Sequence, residues 1–473
     1  MLKEQLSNKK YIMLSIIILG VIGYFLLGDE WIHLEDDSLL YINCDSAEGV
    51  SPIYSLFLFG VRLLFGKNKY LTVVVIIQSL LAIYATGVFS LFIIKHFKLG
   101  YIGALSVFFL CSLPYIIYLP SFGITHCILT EGISYSLFYL FFTQIMKYVY
   151  EKQIINLFGI VIFTIVLGMT RSQLVLLVFY SAIIISGIII ANINKSRVML
   201  RKCIWLGSFI GVLAGCFIVI AGGKKFYSEK VLPAINVDAE IVEVASLVDT
   251  KVESYIVEVA SNSGQLKDVI KIKAFFEANP DDIALFTDAR EKQLFSRIYS
   301  VLDDNKCLHN YVRKGLYSWM DIIKGDIPVL VSQCIHDYAL ENPYDNITYA
   351  DIATKMAVRL FIKHVPQIIL HSLRIMLMSI VASVFFQMEK IYLLCHIIAI
   401  GVYIVFILLM IKNKNDKMLW QLSKKVLSFL MVLIVFTNLA FLGIQRYVVY
   451  GMGIFYIVLF LQLRKIYYDY IAN

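Results

Sequence analysis

An all-α polytopic membrane protein is the fold class this sequence predicts, with about 10–11 transmembrane helices and a mostly helical external domain inserted before the C-terminal helices. Three observations predict it. Hydrophobic residues make up 59% of the 473 positions and mean hydropathy is +0.77, whereas soluble domains lie near about 45–50% apolar. Charged residues are only 16%, and they cluster between long apolar runs, as they must when most of the chain lies in hydrocarbon. The loops between those runs also alternate in basic content, which is the signature of a chain crossing back and forth. The net charge of +8 follows from lysine and arginine in cytoplasmic loops, so no nucleic-acid partner is expected.

The apolar runs long enough to span, or nearly so, are 11–27, 71–94, 99–118, 132–150, 154–168, 173–191, 203–221, 391–411, 426–441 and 448–463. A helix needs about 20 residues to cross the hydrocarbon; the shorter runs are expected to extend into amphipathic flanks. Lys3, Lys9 and Lys10 precede the first run, which suits a retained signal anchor with a cytoplasmic N-terminus. Every second loop is then basic: "IKHFKLG", "MKYVYEKQ", "NINKSRVMLRK", "IKNKNDKMLWQLSKK" and the tail "LQLRKIYYDY". The opposite loops are acidic or sparsely charged. The segment 365–387 is apolar enough to span, but spanning would invert every later loop, so the charge rule favours a re-entrant or interfacial helix on the external side.

Three regions follow: an N-terminal transmembrane module at 1–221, an external soluble domain at 222–364, and C-terminal membrane helices at 365–473. Within the external domain, "FTDAREKQLFSRIYSVLDD" and "IPVLVSQCIHDYALENP" carry helical periodicity, with Thr287 as the expected N-cap of the first. "VDAEIVEVASLVDTKVESYIVEVA" suits strand and helix about equally, and "DNIT" at 345–348 is a formal sequon. Eight cysteines show no CxxC and no metal-ligand spacing; Cys307 and Cys334 share the polar segment, with a disulfide between them left open. The Ile-, Lys-, Asn- and Tyr-rich composition points to a bacterial plasma membrane.

Four features on the external face carry candidate chemistry. The loop "LGDEWIHLEDDSLLYINCDSAEG" holds seven carboxylates and no lysine or arginine. Of these, Asp36 and Asp37 are flanked by apolar and aromatic residues, including Tyr41; partial desolvation there makes a carboxylate a better proton acceptor. In "HCILTEGISYSLFYLFF", Glu131 opens a span beside His126, with Thr130 as a candidate N-cap. In "VLGMTRSQLVLL", Arg171 stands in a short external loop where a basic residue is disfavoured, so it calls for a partner: a phosphate or one of the acids. In "LGIQRYVVYGMGIFY", Arg446 and Tyr447 offer a bidentate phosphate fork and an aromatic face. No metal cage is visible, although Asp36, Asp37 and Glu131 leave a divalent cation open.

The set of acids after the first span, a glutamate at the fourth, and arginines after the fifth and before the last resembles the GT-C superfamily of integral-membrane glycosyltransferases. That superfamily includes the protein mannosyltransferases and aminoarabinose transferases. "DDSLLYINCDSAEGVSPIYSLFLFGVRLLFG" is similar to its first external loop, with a "P-x-Y" segment beginning a juxtamembrane helix. "ILTEGISYSLFYLFF", "GMTRSQLVLLVF" and "QRYVVYGMGIFYIVLF" look like its later signatures. The resemblance covers 1–195 and 360–470 loosely, and 222–360 not at all. The family's Asp-Glu pair reads Asp-Asp here, and its "R-P-E" reads "R-S-Q". The resemblance implies a GT-C fold and a polyprenyl-phosphate-sugar donor, with a glycan, lipid or protein acceptor on the external face. Asp37 or Asp36 would be the base, Arg171 and Arg446 would bind the donor phosphate, and Glu131 would line the site. Two alternatives stand beside it: a polymerase or ligase of lipid-linked polysaccharide, and a flippase or transporter, which would carry ionisable residues within its spans.

Overall fold

The computed structural model describes residues 2–26, 31–34, 38, 41–42, 51–117, 123–191, 198–231, 272–309, 327–342, 349–385, 391–440 and 449–472. Among them all regular structure is helical, apart from one isolated parallel bridge between His33 and Cys127. The helices are α1 (Leu2–Val21), α2 (Pro52–Phe65), α3 (Tyr70–Phe97), α4 (Tyr101–Ile117), α5 (Glu131–Glu151), α6 (Ile155–Thr170), α7 (Leu176–Ala191) and α8 (Val198–Phe226). After the polar insert's α9 (Ala289–Asp304), α10 (Ile327–Glu341) and α11 (Tyr349–Lys363) come α12 (Val365–Ala382), α13 (Tyr392–Lys412), α14 (Lys417–Ala440) and α15 (Met452–Ala472). Five helical stretches are long and apolar enough to cross a membrane: Tyr70–Phe97, Cys203–Val231, Leu393–Lys412, Lys417–Val435 and Val449–Ile471. The chain is thus an all-α integral membrane protein.

The other expected spans form shorter apolar helices, at Lys10–Phe25, Tyr101–Tyr115, Ile155–Thr170 and Leu176–Gly187, together with α5. That helix is 21 residues long but too polar to stand out by hydropathy. Its burial explains why it can be so polar. Ser134, Tyr135, Ser136, Phe138, Tyr139, Phe141 and Phe142 are all withdrawn from the surface, because α3, α6, α14 and α15 pack around them. Inside hydrocarbon each hydroxyl must find a partner within the protein. Tyr115 shares a hydrogen bond with Ser136 at 3.0 Å, Tyr24 donates to Ser112 Oγ at 2.8 Å, and Tyr139 donates to the Cys111 carbonyl at 2.8 Å. The helix facing the lipid most openly is α8, whose spanning window is only 11% buried, against 61% for α15.

α15 reaches the centre because of one close approach. Pro114, inside α4, has no N–H to give the Leu110 carbonyl one turn earlier. Gly453 packs against that carbonyl: a β-carbon placed on it would lie 2.7 Å from Leu110 O and would also collide with the Tyr139 hydroxyl.

The two ends of the bundle are distinguishable by their contacts. At one end Arg464 donates to the Phe97 carbonyl at 3.2 Å, Asn413 to the Gln462 carbonyl at 3.2 Å, and Tyr150 to the Met418 carbonyl at 3.2 Å. α13 ends there, so it begins at the other end. α12 terminates against the middle of α13 and the first turns of α15: Ser383 and Tyr403 share a hydrogen bond of 2.7 Å, and Tyr456 donates to the Val384 carbonyl. α12 and α13 therefore meet within the bundle.

The polar insert has its own core, in which Phe275, Phe286, Phe295, Ile298, Met356 and Leu360 are buried. Its N-cap at α9 is Asp288, not the expected Thr287. The Asp288 carboxylate accepts from the Arg290 N–H at 2.8 Å, and the helix starts one residue later. A carboxylate outcompetes a hydroxyl for the cap because it also meets the positive end of the helix dipole. Arg297 grips Glu341 with two bonds of 2.5 and 3.0 Å, joining α9 to α10, and Arg359 reaches Glu291 at 2.7 Å, joining α9 to α11. Asp282, wholly buried, accepts from the Asn279 N–H at 2.7 Å, pairs with Lys363, and meets His364 Nε2 at 2.8 Å. Burial opposes its charge, yet these partners prevail and hold its carboxyl below the ordinary range. Cys307 and Cys334 are both buried in this core and are not joined by a disulfide, and burial pushes the Cys334 thiol up to about 11. The segment "VDAEIVEVASLVDTKVESYIVEVA" and the sequon lie outside the described residues.

Two outcomes are expected. Gly453→Ala forces α15 away from the Leu110 carbonyl at a cost of about 1–3 kcal/mol of overpacking and so lowers the melting temperature in detergent, whereas Gly401→Ala, with open space around it, leaves it unchanged. Single cysteines at Lys412 and Asp45 should react with a membrane-impermeant thiol reagent from opposite sides; reaction of both from one side overturns the orientation read from the charge alternation.

Candidate functional site

The site is built where α5 begins beside the end of α6. Approaching α5, the chain turns at Gly123, whose φ of +69° belongs to the left-handed region. The chain then donates from the Ile124 N–H to the Tyr115 carbonyl at 3.2 Å. His33 lies alongside this segment: its N–H donates to the His126 carbonyl at 3.0 Å, and its carbonyl accepts from the Ile128 N–H at 3.1 Å. The first loop is thereby stitched to the chain three residues before Glu131.

Gln78, on α3 and fully buried, fastens the same segment from below. Its Nε2 donates to the Thr125 carbonyl at 2.9 Å and the Cys127 carbonyl at 3.0 Å, and its Oε1 accepts from the Tyr54 hydroxyl at 2.8 Å. Every polar atom of the amide is used. Gly132 leaves room for it, since a β-carbon there would sit 2.5 Å from the Gln78 amide carbon.

The other end of the first loop is anchored by Ser51, immediately before Pro52 opens α2. Its hydroxyl donates to the Met169 carbonyl at 3.2 Å and to the Thr170 carbonyl. Those are orphan carbonyls at the C-terminus of α6, and the next residue is Arg171. At Arg171 the backbone becomes extended (φ −152°) and its N–H closes the helix on Leu167 at 2.9 Å.

Between the two anchors Glu131 and Arg171 form an ion pair, with side chains 0% and 4% exposed. Thr130 stands at the helix-start position, but its hydroxyl makes no capping bond. It donates instead to Glu131 Oε2 at 2.9 Å, and Arg171 lies 3.4 Å from the same hydroxyl. The fourth contributor arrives from the end of the chain. Tyr450 shares a 2.7 Å hydrogen bond with Ser134, one turn into α5, and its hydroxyl faces both Arg171 and Glu131. Its ring meets Tyr135 edge-on at 4.5 Å.

Of the residues singled out from the sequence, Glu131 and Arg171 meet directly: the partner that Arg171 called for is one of the acids. Tyr41 is half-buried, edge-on to Tyr54 at 5.3 Å, on the loop's inner face. His126 is buried and spends its Nε2 on the Tyr24 carbonyl at 2.8 Å, with Trp31 edge-on at 5.4 Å; in this setting it positions the loop. Asp36, Asp37, Arg446 and Tyr447 lie outside the described residues. Ser51, Gln78, Ser134 and Tyr450 were missed. Ser134 carries a usable signal, three residues after Glu131 and so on the same helix face, and Tyr450 repeats that spacing after Tyr447. Among the described residues no group of three His, Cys, Asp or Glu side chains is placed to hold a metal ion.

The arrangement holds a guanidinium and a carboxylate, already aligned, at the end of the bundle where the first loop is tied down. Removing one partner of a buried pair leaves an uncompensated charge. Arg171→Ala or Glu131→Gln alone is therefore expected to cost about 3–5 kcal/mol, seen as lost folded protein in size-exclusion profiles. The double variant Glu131→Gln/Arg171→Gln should lose less than the sum of the losses of Glu131→Gln and Arg171→Gln alone; losses that simply add would show the pair to be uncoupled. No protein-family model, curated protein or solved structure matches this chain.

Proposed function

We propose that this protein is a GT-C-type membrane glycosyltransferase. It moves a sugar from a polyprenyl-phosphate donor to a glycan, lipid or protein acceptor on the external face of a bacterial plasma membrane. The observation that carries this reading is the fastening of His33 and Ser51, on either side of the acidic stretch, to the chain segments that lead into Glu131 and Arg171. His33 is bonded beside the entry to Glu131, and Ser51 to the carbonyls just before Arg171. The described residues on either side of the acidic stretch are thereby held beside the chain that carries a buried arginine, and base-assisted displacement of a phosphate requires a carboxylate and an arginine together.

In this reading Asp37, or its neighbour Asp36, takes the proton from the acceptor hydroxyl as its oxygen attacks the anomeric carbon. The bond from that carbon to the lipid phosphate breaks, and the configuration inverts in one displacement. The phosphate leaves as an anion, so no strong general acid is needed. Arg446 and Arg171 stabilise the charge developing on it, with Arg171 held in a fixed orientation by Glu131. Tyr447 and Tyr41 supply aromatic faces for the sugar.

A polymerase or ligase of lipid-linked repeat units would use the same arginines without depending on a carboxylate base, so the aspartates decide between the two. Asp36→Asn/Asp37→Asn is expected to lower transfer of a surface glycan by about 10²- to 10⁴-fold, the size of a general-base contribution, at normal membrane abundance. Full activity of that double variant overturns the assignment of the base. Arg446→Ala should weaken use of the lipid-linked donor, and its full activity would remove the phosphate role.

A further inference from the structure

At the end of the bundle opposite the Glu131–Arg171 pair, three lysines converge from two elements. α5 stops at Lys152, which stands in the left-handed region (φ +58°) and closes the helix by donating its N–H to the Tyr148 carbonyl at 3.0 Å. A glycine would hold that conformation at no steric cost. The chain places an ammonium there instead, 5.8 Å from the centre of the Tyr148 ring. Tyr150, two residues earlier, bonds the Met418 carbonyl and so sets the end of α5 against the first turn of α14. Seven residues beyond Met418, and therefore on the same helix face, is Lys425, half-buried and within reach of the charges of Lys152 and Lys424.

Glu151, Asp416 and Asp469, at the same end, have partners of their own. Glu151 pairs with Lys95 at 3.6 Å, Asp469 with Lys465 at 2.8 Å, and Asp416 caps α14 by accepting from the Met418 and Leu419 N–H groups at 3.1 and 3.0 Å. Among the described side chains no carboxylate pairs with Lys152, Lys424 or Lys425. Three like charges held together repel one another, and an anion placed among them relieves the repulsion.

The surface running on from the lysines is apolar. Lys424, Ser428, Met431 and Val435 recur at helical spacing as an exposed stripe of α14. α7 lies alongside, where Tyr180 donates to the Lys425 carbonyl at 3.1 Å and Ile183, one turn on, is exposed. The Trp420 ring lies 5.4 Å from Lys424 Nζ, and tryptophan is enriched where hydrocarbon gives way to water. Cations at that level followed by an apolar stripe match a molecule with a charged head and hydrocarbon tails. A soluble anion gains nothing from Met431 and Val435.

We propose that Lys152, Lys424 and Lys425 bind the phosphate of an anionic glycerophospholipid whose acyl chains lie along the exposed face of α14. Lys424 and Lys425 meet the phosphodiester oxygens from the helix, their stems resting on apolar surface, while Lys152 approaches from the end of α5. The lipid thereby joins α5 to α14 at the end of the bundle away from the candidate transfer site. Phosphatidylglycerol is preferred to phosphatidylcholine, because the choline group cancels the phosphate charge.

The test is native mass spectrometry of the full chain released from detergent, titrated with phosphatidylglycerol and with phosphatidylcholine of the same acyl chains. Wild-type protein should bind the first phosphatidylglycerol about tenfold more tightly than the first phosphatidylcholine. Lys152→Gly should lower that preference about fivefold, the worth of one lysine at an anionic surface. Glycine also relaxes the left-handed position, so the melting temperature without added lipid does not fall. Lys424→Gln/Lys425→Gln should bring the ratio below about twofold, whereas Lys465→Gln, whose charge is already paired with Asp469, keeps it. Equal affinity of the wild type for the two lipids overturns the proposal, as does an undiminished preference in Lys152→Gly or in the double variant. Loss of the wild-type preference in excess inorganic phosphate would place a soluble anion at the lysines and overturn the lipid assignment. None of these readouts involves transferase activity.

Discussion

The buried ion pair between Glu131 and Arg171 is the constraint around which the membrane end of this protein is organised. Withdrawing two charges from water is expensive, and the attraction between them repays that only when the geometry is good and the remaining polar atoms find partners. The chain meets both conditions by bringing four distant stretches together. Thr130 donates to the carboxylate from the adjacent residue, Ser51 satisfies the carbonyls at the end of α6, and Tyr450 brings the start of α15 over the pair. The pair thus sets the relative height of α5 and α6 and the point at which the final helix enters the bundle.

The same economy governs the layer beneath. Gln78 spends its whole amide on Tyr54, Thr125 and Cys127, replacing water that the site excludes. The packing of α15 against α4 rests on a second coincidence, a proline that leaves a carbonyl without its donor opposite a glycine that lets the backbone approach. Several polar atoms left over by one element are taken up by another. For that reason α5 can be rich in serine and tyrosine at the centre of a membrane bundle.

The polar insert follows different rules. It has an apolar core, and its helices are tied together by exposed or half-buried charge pairs such as Arg297–Glu341 and Arg359–Glu291. Its two core cysteines are buried and not joined to each other. What joins it to the membrane part is α12, which bears His371 and Ser372 toward the insert at one end and rests on Tyr403 and Tyr456 at the other. Among the described residues the insert bears on the helix bundle through α12, with ionisable contacts at the end nearer the insert.

The amino-acid sequence by itself determined that this is an all-helical membrane protein, because hydropathy and the alternation of basic loops are local properties that no tertiary contact can reverse. It also marked Glu131 and Arg171, since a charge at the edge of an apolar run is costly wherever the chain folds. The identity of Arg171's partner was decided only by the tertiary structure, which sets α5 beside α6. Gln78 was illegible in advance for the same reason, and Ser134 and Tyr450 were marked only by a three-residue spacing: a serine, glutamine or tyrosine near a span is ordinary until a neighbour gives it a bond to make. The N-cap of α9 moved by one residue because two adjacent cap formers compete and only the carboxylate also profits from the dipole. The contact of Glu277 with His309 and His371 was hidden most deeply, since the three are separated by tens of residues and meet only where the insert closes onto α12.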